Sequence, residues 1–397
     1  MSGNHVRMRG RDATEEHRAA SPLDLLFDLT FVVAIAQLAL QLSRTSGQVA
    51  GPDKIAPYLM VFFAIWWAWI SLAWFASAYD TDDALYRVSA VVQMAGVLVL
   101  AAGVPAAFAD GNFRVIALGY LVMRIGLVAH WVRVVLEHPG GRVTALRYIA
   151  GIAVAQLGWL GWLLLPRAVM ALAFLALVAI ELSVPVWAEG RGRLAWHPGH
   201  IAERYGLFVI LLLGESVLAA ANGMRAALGG GGATTDLLAV SLGGLVLLVG
   251  LWWTYFLEPA EAGLTARPQA AFFWGWGHFP LFAALAAVGA WLEVAVVTVS
   301  HHDVTSALQV SYALAVPVAL VLAMTWLVHF PFSDFGTVRA VVLLPAATAV
   351  LVIPLAVDRV GLPAVVAGIA VVVAAAATAA STTPGATDST PPGSLTS

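Results

Sequence analysis

Three ionisable residues fall deep inside otherwise apolar stretches: Asp28, Arg124 and Glu215. A charge within a bilayer is costly, so each marks a functional hypothesis by default. A carboxylate there can hold a proton or bind a cation, and a guanidinium can act as counter-charge or receive an anionic substrate. The plainer alternative is that Arg124 pairs with Glu215 or with Asp28 and the charges only join helices. Asp28 lies one helical turn beyond Asp24 on the same face. Asp24 follows Ser21-Pro22, so the simplest reading makes it part of a helix start. Gln37 and Gln41 add polarity on another face of that helix. Gly214, next to Glu215, would let a neighbouring helix or ligand approach closely.

Secondary candidates surround these. Glu203 and Arg204 sit where a later apolar stretch begins, and read as an interfacial anchor. Glu181 and Glu293 lie nearer the ends of their stretches and can reach the headgroups. His278, in Phe272-Phe273-Trp274-Gly275-Trp276-Gly277-His278, is more simply a hydrogen-bonded packing residue than a ligand. Tyr79-Asp80-Thr81-Asp82-Asp83 would attract cations at a helix mouth, yet it lacks the glycine and distal Glu of a calcium loop. Asp82 or Asp83 capping the next helix is the plainer reading. His301-His302-Asp303 is too sparse for a zinc site. With no cysteine, disulfides, thiolate metal sites and cysteine nucleophiles are excluded. No phosphate-binding lysine loop, nucleophile elbow or His-Glu-x-x-His pair is present. No catalytic residue, metal or cofactor is therefore expected.

The elements that must carry these residues follow from composition. Of 397 residues, 61% are hydrophobic and 11% charged, against roughly 45–50% and 25% in soluble domains. The fold class is all-α and polytopic, with the lipid bilayer as partner. A net charge of −3 gives no footprint for nucleic acid. Twelve stretches approach the ~20 apolar residues that span a bilayer: approximately 22–42, 55–78, 85–109, 113–136, 145–165, 167–188, 204–222, 235–258, 270–299, 307–330, 337–357 and 361–380. The first is expected to serve as an uncleaved insertion signal, since residues 1–21 carry Arg7, Arg9, Arg11 and Arg18 without an apolar core. The excess of Lys and Arg on alternate loops predicts both termini in the cytoplasm of a cell membrane.

The spans divide six and six around a polar loop. The domains expected are a cytoplasmic arm (1–21), a first six-helix repeat (22–188), a linker (189–203), a second repeat (204–380) and a disordered Ser, Thr and Pro tail (381–397). Leu26-Phe27 and Leu207-Phe208 open the halves, and Trp66-Trp67 and Trp252-Trp253 sit in their second helices. These spacings differ, 181 against 186 residues, so a repeat requires a gap. Repeats of six spans would be parallel.

Three segments carry a family resemblance: Ser21-Pro22-Leu23-Asp24-Leu25-Leu26-Phe27-Asp28-Leu29-Thr30-Phe31-Val32, Tyr79-Asp80-Thr81-Asp82-Asp83, and Glu203-Arg204-Tyr205-Gly206-Leu207-Phe208 with Leu213-Gly214-Glu215. Together they resemble the bacterial low temperature requirement protein A family. The resemblance implies a multi-pass membrane protein named for a growth phenotype in the cold, with no substrate attached. A fainter similarity runs to two-repeat, twelve-span potassium channels, whose first helix carries Arg and then Phe-Ser-Asp. Here Arg18 precedes Phe27-Asp28 without the Ser and at longer spacing, and only Asp28 carries over.

A transporter or channel for a small solute or ion is the leading expectation. The alternatives are a membrane sensor or scaffold linked to growth in the cold, and a lipid-acting enzyme built on Asp80, Asp82 and Asp83 with Arg87. A second copy of the chain, in a homodimer, is the one protein partner considered.

Overall fold

A computed structural model describes residues 5–11, 15, 19–43, 52–190, 194–231, 234–301, 306–332 and 336–382. These form helices and their connections, with no strand among the described residues. The helices are α1 (Pro22–Ser43), α2 (Pro52–Tyr79), α3 (Ala84–Asp110), α4 (Arg114–Glu137), α5 (Arg142–Trp162), α6 (Arg167–Glu189), α7 (Pro198–Gly231), α8 (Thr235–Tyr255), α9 (Ala260–Ala266), α10 (Ala271–His301), α11 (Ala307–His329), α12 (Gly336–Val352), α13 (Val357–Val360) and α14 (Leu362–Ser381). Twelve described stretches are long and apolar enough to cross a membrane, as expected from the sequence. The chain is an all-α polytopic membrane protein. His302 and Asp303 of the sparse His-His-Asp run, Arg18 of the channel-like motif and tail residues 383–397 lie outside the described residues.

Local chemistry explains where helices start and stop. Ser21 and Asp24 bond reciprocally at the start of α1: the Asp24 amide donates to Ser21 Oγ at 3.1 Å, and the Ser21 amide to Asp24 Oδ2 at 3.0 Å. This is a capping box with Asp in the acidic position. Asp83 caps α3 by accepting from the Tyr86 amide at 3.0 Å. Asp82 before it adopts a φ of +47°, a left-handed conformation that Asp tolerates better than most residues. Between α5 and α6 the chain turns at Leu165-Pro166, and Pro166 directly precedes the first helical residue of α6.

The chain packs as two compact units, Met1–Thr45 with Ala50–Leu212, and Ser46–Val49 with Leu213–Ser397. The boundary falls within α7, beyond the polar loop where the sequence suggests a division.

In the first unit α1 packs on α2 and α3, α3 on α4, α4 on α5, and α5 on α6. The α3–α4 crossing is set by glycine. A Cβ at Gly119 would lie 2.4 Å from the Leu100 amide nitrogen, and one at Gly96 would lie 2.7 Å from the Gly119 carbonyl oxygen. Backbones approach this closely only where small residues face each other. Phe27, Phe31, Phe62, Trp66, Trp69 and Phe75 fill the interior. Outward leucines such as Leu172 and Leu157 are 73% and 70% exposed. In water such surface would be a liability, but in a bilayer it is the solvated face.

In the second unit α8 packs on α14 and α10, α10 on α11, α11 on α12, and α12 on α14. Its interior is lined by Trp274, Leu281, Phe282, Val288 and the alanines of α10. At Gly214 no neighbouring helix approaches closely among the described residues, since a Cβ there would meet nothing within 4 Å.

Candidate functional site

Three clusters of paired charges stand out among the described residues of the first unit. The innermost joins α1 to the first part of α7. Asp28 on α1 and Arg204 on α7 have no exposure, and Asp24 is 7% exposed. Arg204 Nη2 donates to Asp28 Oδ1 at 2.6 Å and Nε to Oδ2 at 3.2 Å. Arg204 Nη1 donates to Asp24 Oδ1. Asp28 Oδ1 also accepts from the Trp69 indole at 2.7 Å. His200 Nε2 stands 3.5 Å from Asp24 Oδ2. At the edge, Glu203 accepts from the Ala20 amide at 2.9 Å. Tyr205 and Phe208 wall this cluster, with ring centres 5.1 and 4.2 Å from that of Trp69.

This arrangement corrects two expectations. Arg204 is not an interfacial anchor, because its guanidinium is fully buried between two carboxylates. Asp28 pairs with Arg204, not with Arg124. The physical reason is reach. Arg204 lies one turn from the buried His200 on the same helix face, and that face is turned toward the Asp24–Asp28 face of α1. Asp24 keeps its capping role and takes on an ion pair besides.

A second cluster centres on Glu181 of α6. It accepts from the Trp67 indole at 2.8 Å, the Trp159 indole at 3.0 Å, the Tyr120 hydroxyl at 2.7 Å and Arg124 Nη2 at 3.2 Å. Arg124 also donates to the Tyr120 oxygen, and its Nη1 reaches Ser71 Oγ at 3.2 Å. Glu181 does not extend to the headgroups, since only 2% of it is exposed. Four donors satisfy a carboxylate far better than one headgroup contact would, and this offsets its desolvation. Beside this cluster lies a small apolar cavity, walled by Phe63, Tyr120, Trp159, Trp162 and Phe174.

The third cluster straps the N-terminal arm to the helix ends. Arg133 Nη1 and Nη2 grip Asp83 at 2.7 and 2.5 Å, Nη2 also donates to the Val6 carbonyl at 2.5 Å, and Nε donates to Glu137 at 3.0 Å. In return the Val6 amide donates to Asp83 at 3.1 Å and the Met8 amide to Glu137 at 2.5 Å. Burial alone would raise the Asp83 carboxyl. The Arg133 guanidinium with the Tyr86 and Val6 amides outweighs it and holds the group well below the usual carboxylate range. Asp82 is paired with Arg87 at 2.8 Å, and Asp80 accepts from the Asp82 amide at 2.9 Å and lies 3.9 Å from Arg11. The acidic patch is thus occupied by capping and ion pairs.

The remaining candidates stand apart. Gln37 is half-buried on α1. Glu215, in the second unit, is half-buried, makes no hydrogen bond or ion pair among the described residues and lies within electrostatic reach of Glu293. Arg124 is engaged inside its own unit by Glu181. Asp28 and Arg124 therefore belong to different clusters. His278, also in the second unit, bonds Tyr255 at 3.0 Å and the Trp274 carbonyl at 2.7 Å, the packing role that a lone helical His suggests. Sequence reasoning missed His200, the hub role of Glu181, and Arg133. The one available signal was periodic: His200 and Arg204 are one turn apart on one helix face, like Asp24 and Asp28.

The sequence profile of the bacterial low temperature requirement A proteins matches residues 19–380. An uncharacterized protein of Rhizobium meliloti (strain 1021) is 28% identical over 301 residues, covering 72% of this chain and 71% of that protein. No solved structure matches the chain.

Proposed function

The chain belongs to the bacterial low temperature requirement A protein family, and on that premise we propose that it moves a small solute or ion across the cell membrane, with both termini in the cytoplasm. One observation carries the reading. In the first unit a single buried guanidinium, Arg204, faces two buried carboxylates, Asp24 and Asp28. Among the described residues the cluster holds one surplus negative charge unless His200 is protonated, a carboxyl keeps a proton, or a cation sits beside it. An uncompensated charge in hydrocarbon costs several kcal/mol, so this cluster is a place where a proton or cation is taken up. His200, 3.5 Å from Asp24, is the group placed to exchange that proton. Asp24 and Asp28 bind, Arg204 sets their spacing, and Trp69 holds Asp28 in one orientation.

Glu215 is a separate, weaker candidate, because no cation accompanies it among the described residues. The lipid-enzyme alternative loses support, since Asp80, Asp82 and Asp83 are already engaged by amides and arginines.

The test is flux in proteoliposomes under an imposed proton or monovalent-cation gradient. Asp28→Asn and Asp24→Asn should each lower flux by about tenfold or more while the protein still elutes as a folded species. Wild-type flux from both variants would remove the cluster from any transport role.

A further inference from the structure

We propose that the first unit carries a surface site for the headgroup of an anionic phospholipid, on the outward face of the first turns of α5. Two guanidiniums, Arg142 and Arg147, would hold the lipid's phosphodiester. Leu136 of α4 and Val143 and Leu146 of α5 would lie against its acyl chains, and Trp187 of α6 flanks them. The three helices pack in the order α4, α5, α6.

These two arginines differ from the buried ones of the unit. Arg124 meets Glu181, Arg133 meets Asp83, and Arg204 meets Asp24 and Asp28. Arg142 and Arg147 have no carboxylate partner among the described residues, and each is held by a backbone carbonyl instead. Arg142 Nε donates to the Val135 carbonyl of α4 at 3.0 Å. Arg147 Nη1 reaches the Trp187 carbonyl of α6 at 3.5 Å. A carbonyl fixes a guanidinium in place but leaves its charge unneutralised. The two Nη groups of Arg142, and Nε with Nη2 of Arg147, donate to no other described residue. Each side chain therefore keeps a two-pronged donor edge, the geometry that fits a phosphate.

Helix geometry sets what lies between them. At about 100° per residue, Arg142 and Arg147 stand roughly 140° apart around α5, and Leu146 and Val143 fall in the gap. Both apolar residues face outward, 50% and 57% exposed. Leu136, next to the carbonyl that holds Arg142, is 71% exposed. In a polytopic membrane protein such surface faces lipid. An arginine at the end of a spanning helix lays its methylenes along apolar surface and lifts its charge to the headgroups. Charge at the helix start with apolar surface following it is the order of groups along a phospholipid.

Trp187 adds an independent sign of the same level in the bilayer. It is 52% exposed, and its ring centre lies 5.7 Å from the Arg147 guanidinium carbon. Exposed indoles at the ends of spans sit among headgroups. The site supplies two positive charges and no compensating carboxylate, so its complement is a headgroup with a phosphate and no cation of its own. Phosphatidylglycerol meets that description, and phosphatidylcholine, with its trimethylammonium, does not. Arg87 provides the contrast. It is exposed at the same end of the bundle, but Asp82 neutralises it at 2.8 Å. The lipid site is separate from the Asp24–Asp28–Arg204 cluster and does not depend on flux.

The experiment is native mass spectrometry of the purified full chain in detergent, titrated in turn with dioleoyl phosphatidylglycerol, dioleoyl phosphatidylcholine and glycerophosphate, which has the phosphate without the chains. The chain should retain phosphatidylglycerol about tenfold better than phosphatidylcholine, and glycerophosphate should bind more weakly still. Arg142→Gln and Arg147→Gln should each weaken phosphatidylglycerol by about fivefold, while Arg87→Gln stays within about twofold of the wild type. The proposal is overturned if both lipids are retained equally, if glycerophosphate binds as tightly as phosphatidylglycerol, if both variants at 142 and 147 behave like the wild type, or if Arg87→Gln weakens the lipid as far as they do. The first two comparisons use the unmodified chain and decide against the proposal even where a variant fails to fold.

Discussion

Arg204 grips Asp28 at two points, Nη2 on Oδ1 at 2.6 Å and Nε on Oδ2 at 3.2 Å, and neither side chain has any exposure. The two residues are 176 positions apart in the chain. The contact ties the first helix to the seventh, and it explains why Asp28 is tolerated a full turn inside an apolar helix.

Arg204 is the partner of both carboxylates, so Arg204→Met strands Asp24 and Asp28 together and should destabilise the protein by about 3–5 kcal/mol, the usual cost of leaving buried charge unpaired. Asp28→Ala leaves Arg204 paired with Asp24 and should cost less, about 1–3 kcal/mol for the lost hydrogen bonds. Adding Asp28→Leu to Arg204→Met should cost less than the sum of the two single changes, because one of the stranded carboxylates leaves with the guanidinium. Thermal unfolding in detergent measures this; a double variant as unstable as the sum of the singles would deny the coupling.

Glu181 should behave as a hub. Two indoles, one phenol and one guanidinium donate to it. Glu181→Ala is expected to cost about 3–5 kcal/mol and to alter the fluorescence of Trp67 and Trp159. After Arg124→Ala, the further cost of Glu181→Ala should shrink, since the two share one network. Equal cost in both backgrounds would mean that they act independently.

Asp83 gives a pH signature. Its carboxyl is held below its ordinary range in the folded protein, where the unfolded value is about 3.9. The folded state therefore binds this proton less readily. The stabilisation is present in full above that unfolded value and is lost as pH falls through it toward the folded value. Asp83→Asn should flatten the acid limb of a stability–pH curve measured between neutrality and about pH 3. An unchanged acid limb would show that the Arg133–Asp83 pair contributes nothing to it.

Gly119 and Gly214 should respond differently to the same substitution. Gly119→Ala drives a Cβ into the Leu100 backbone and is expected to cost about 1–3 kcal/mol as overpacking. Gly214→Ala meets open space and should be neutral or slightly stabilising, since alanine favours helix by up to about 1 kcal/mol. Melting temperatures of the two variants compare them directly, and equal losses would contradict the α3–α4 crossing.

Much of the architecture was legible because it is local. A run of about 20 apolar residues is a membrane helix wherever it lies, and twelve such runs carried over to the structure. Ser21-Pro22 with Asp24, and Asp83 before α3, were readable as caps because capping involves residues three apart. The family, too, was carried by short contiguous motifs within residues 19–380.

The candidate site was only half legible. Sequence marked Asp24, Asp28, Arg124 and Arg204 as residues of interest, since a charge beside an apolar run stands out by itself. It could not say which charge meets which. Helix hydrophobicity sets that a segment spans the bilayer, but not the rotation of that segment about its axis or its neighbours. Arg124 could equally have met Asp28, Glu181 or Glu215 by sequence alone. Only the tertiary structure brought Arg204 of α7 to Asp28 of α1 and Arg124 of α4 to Glu181 of α6. Pairing is a long-range property of helix packing, whereas spans and caps are written in neighbouring residues.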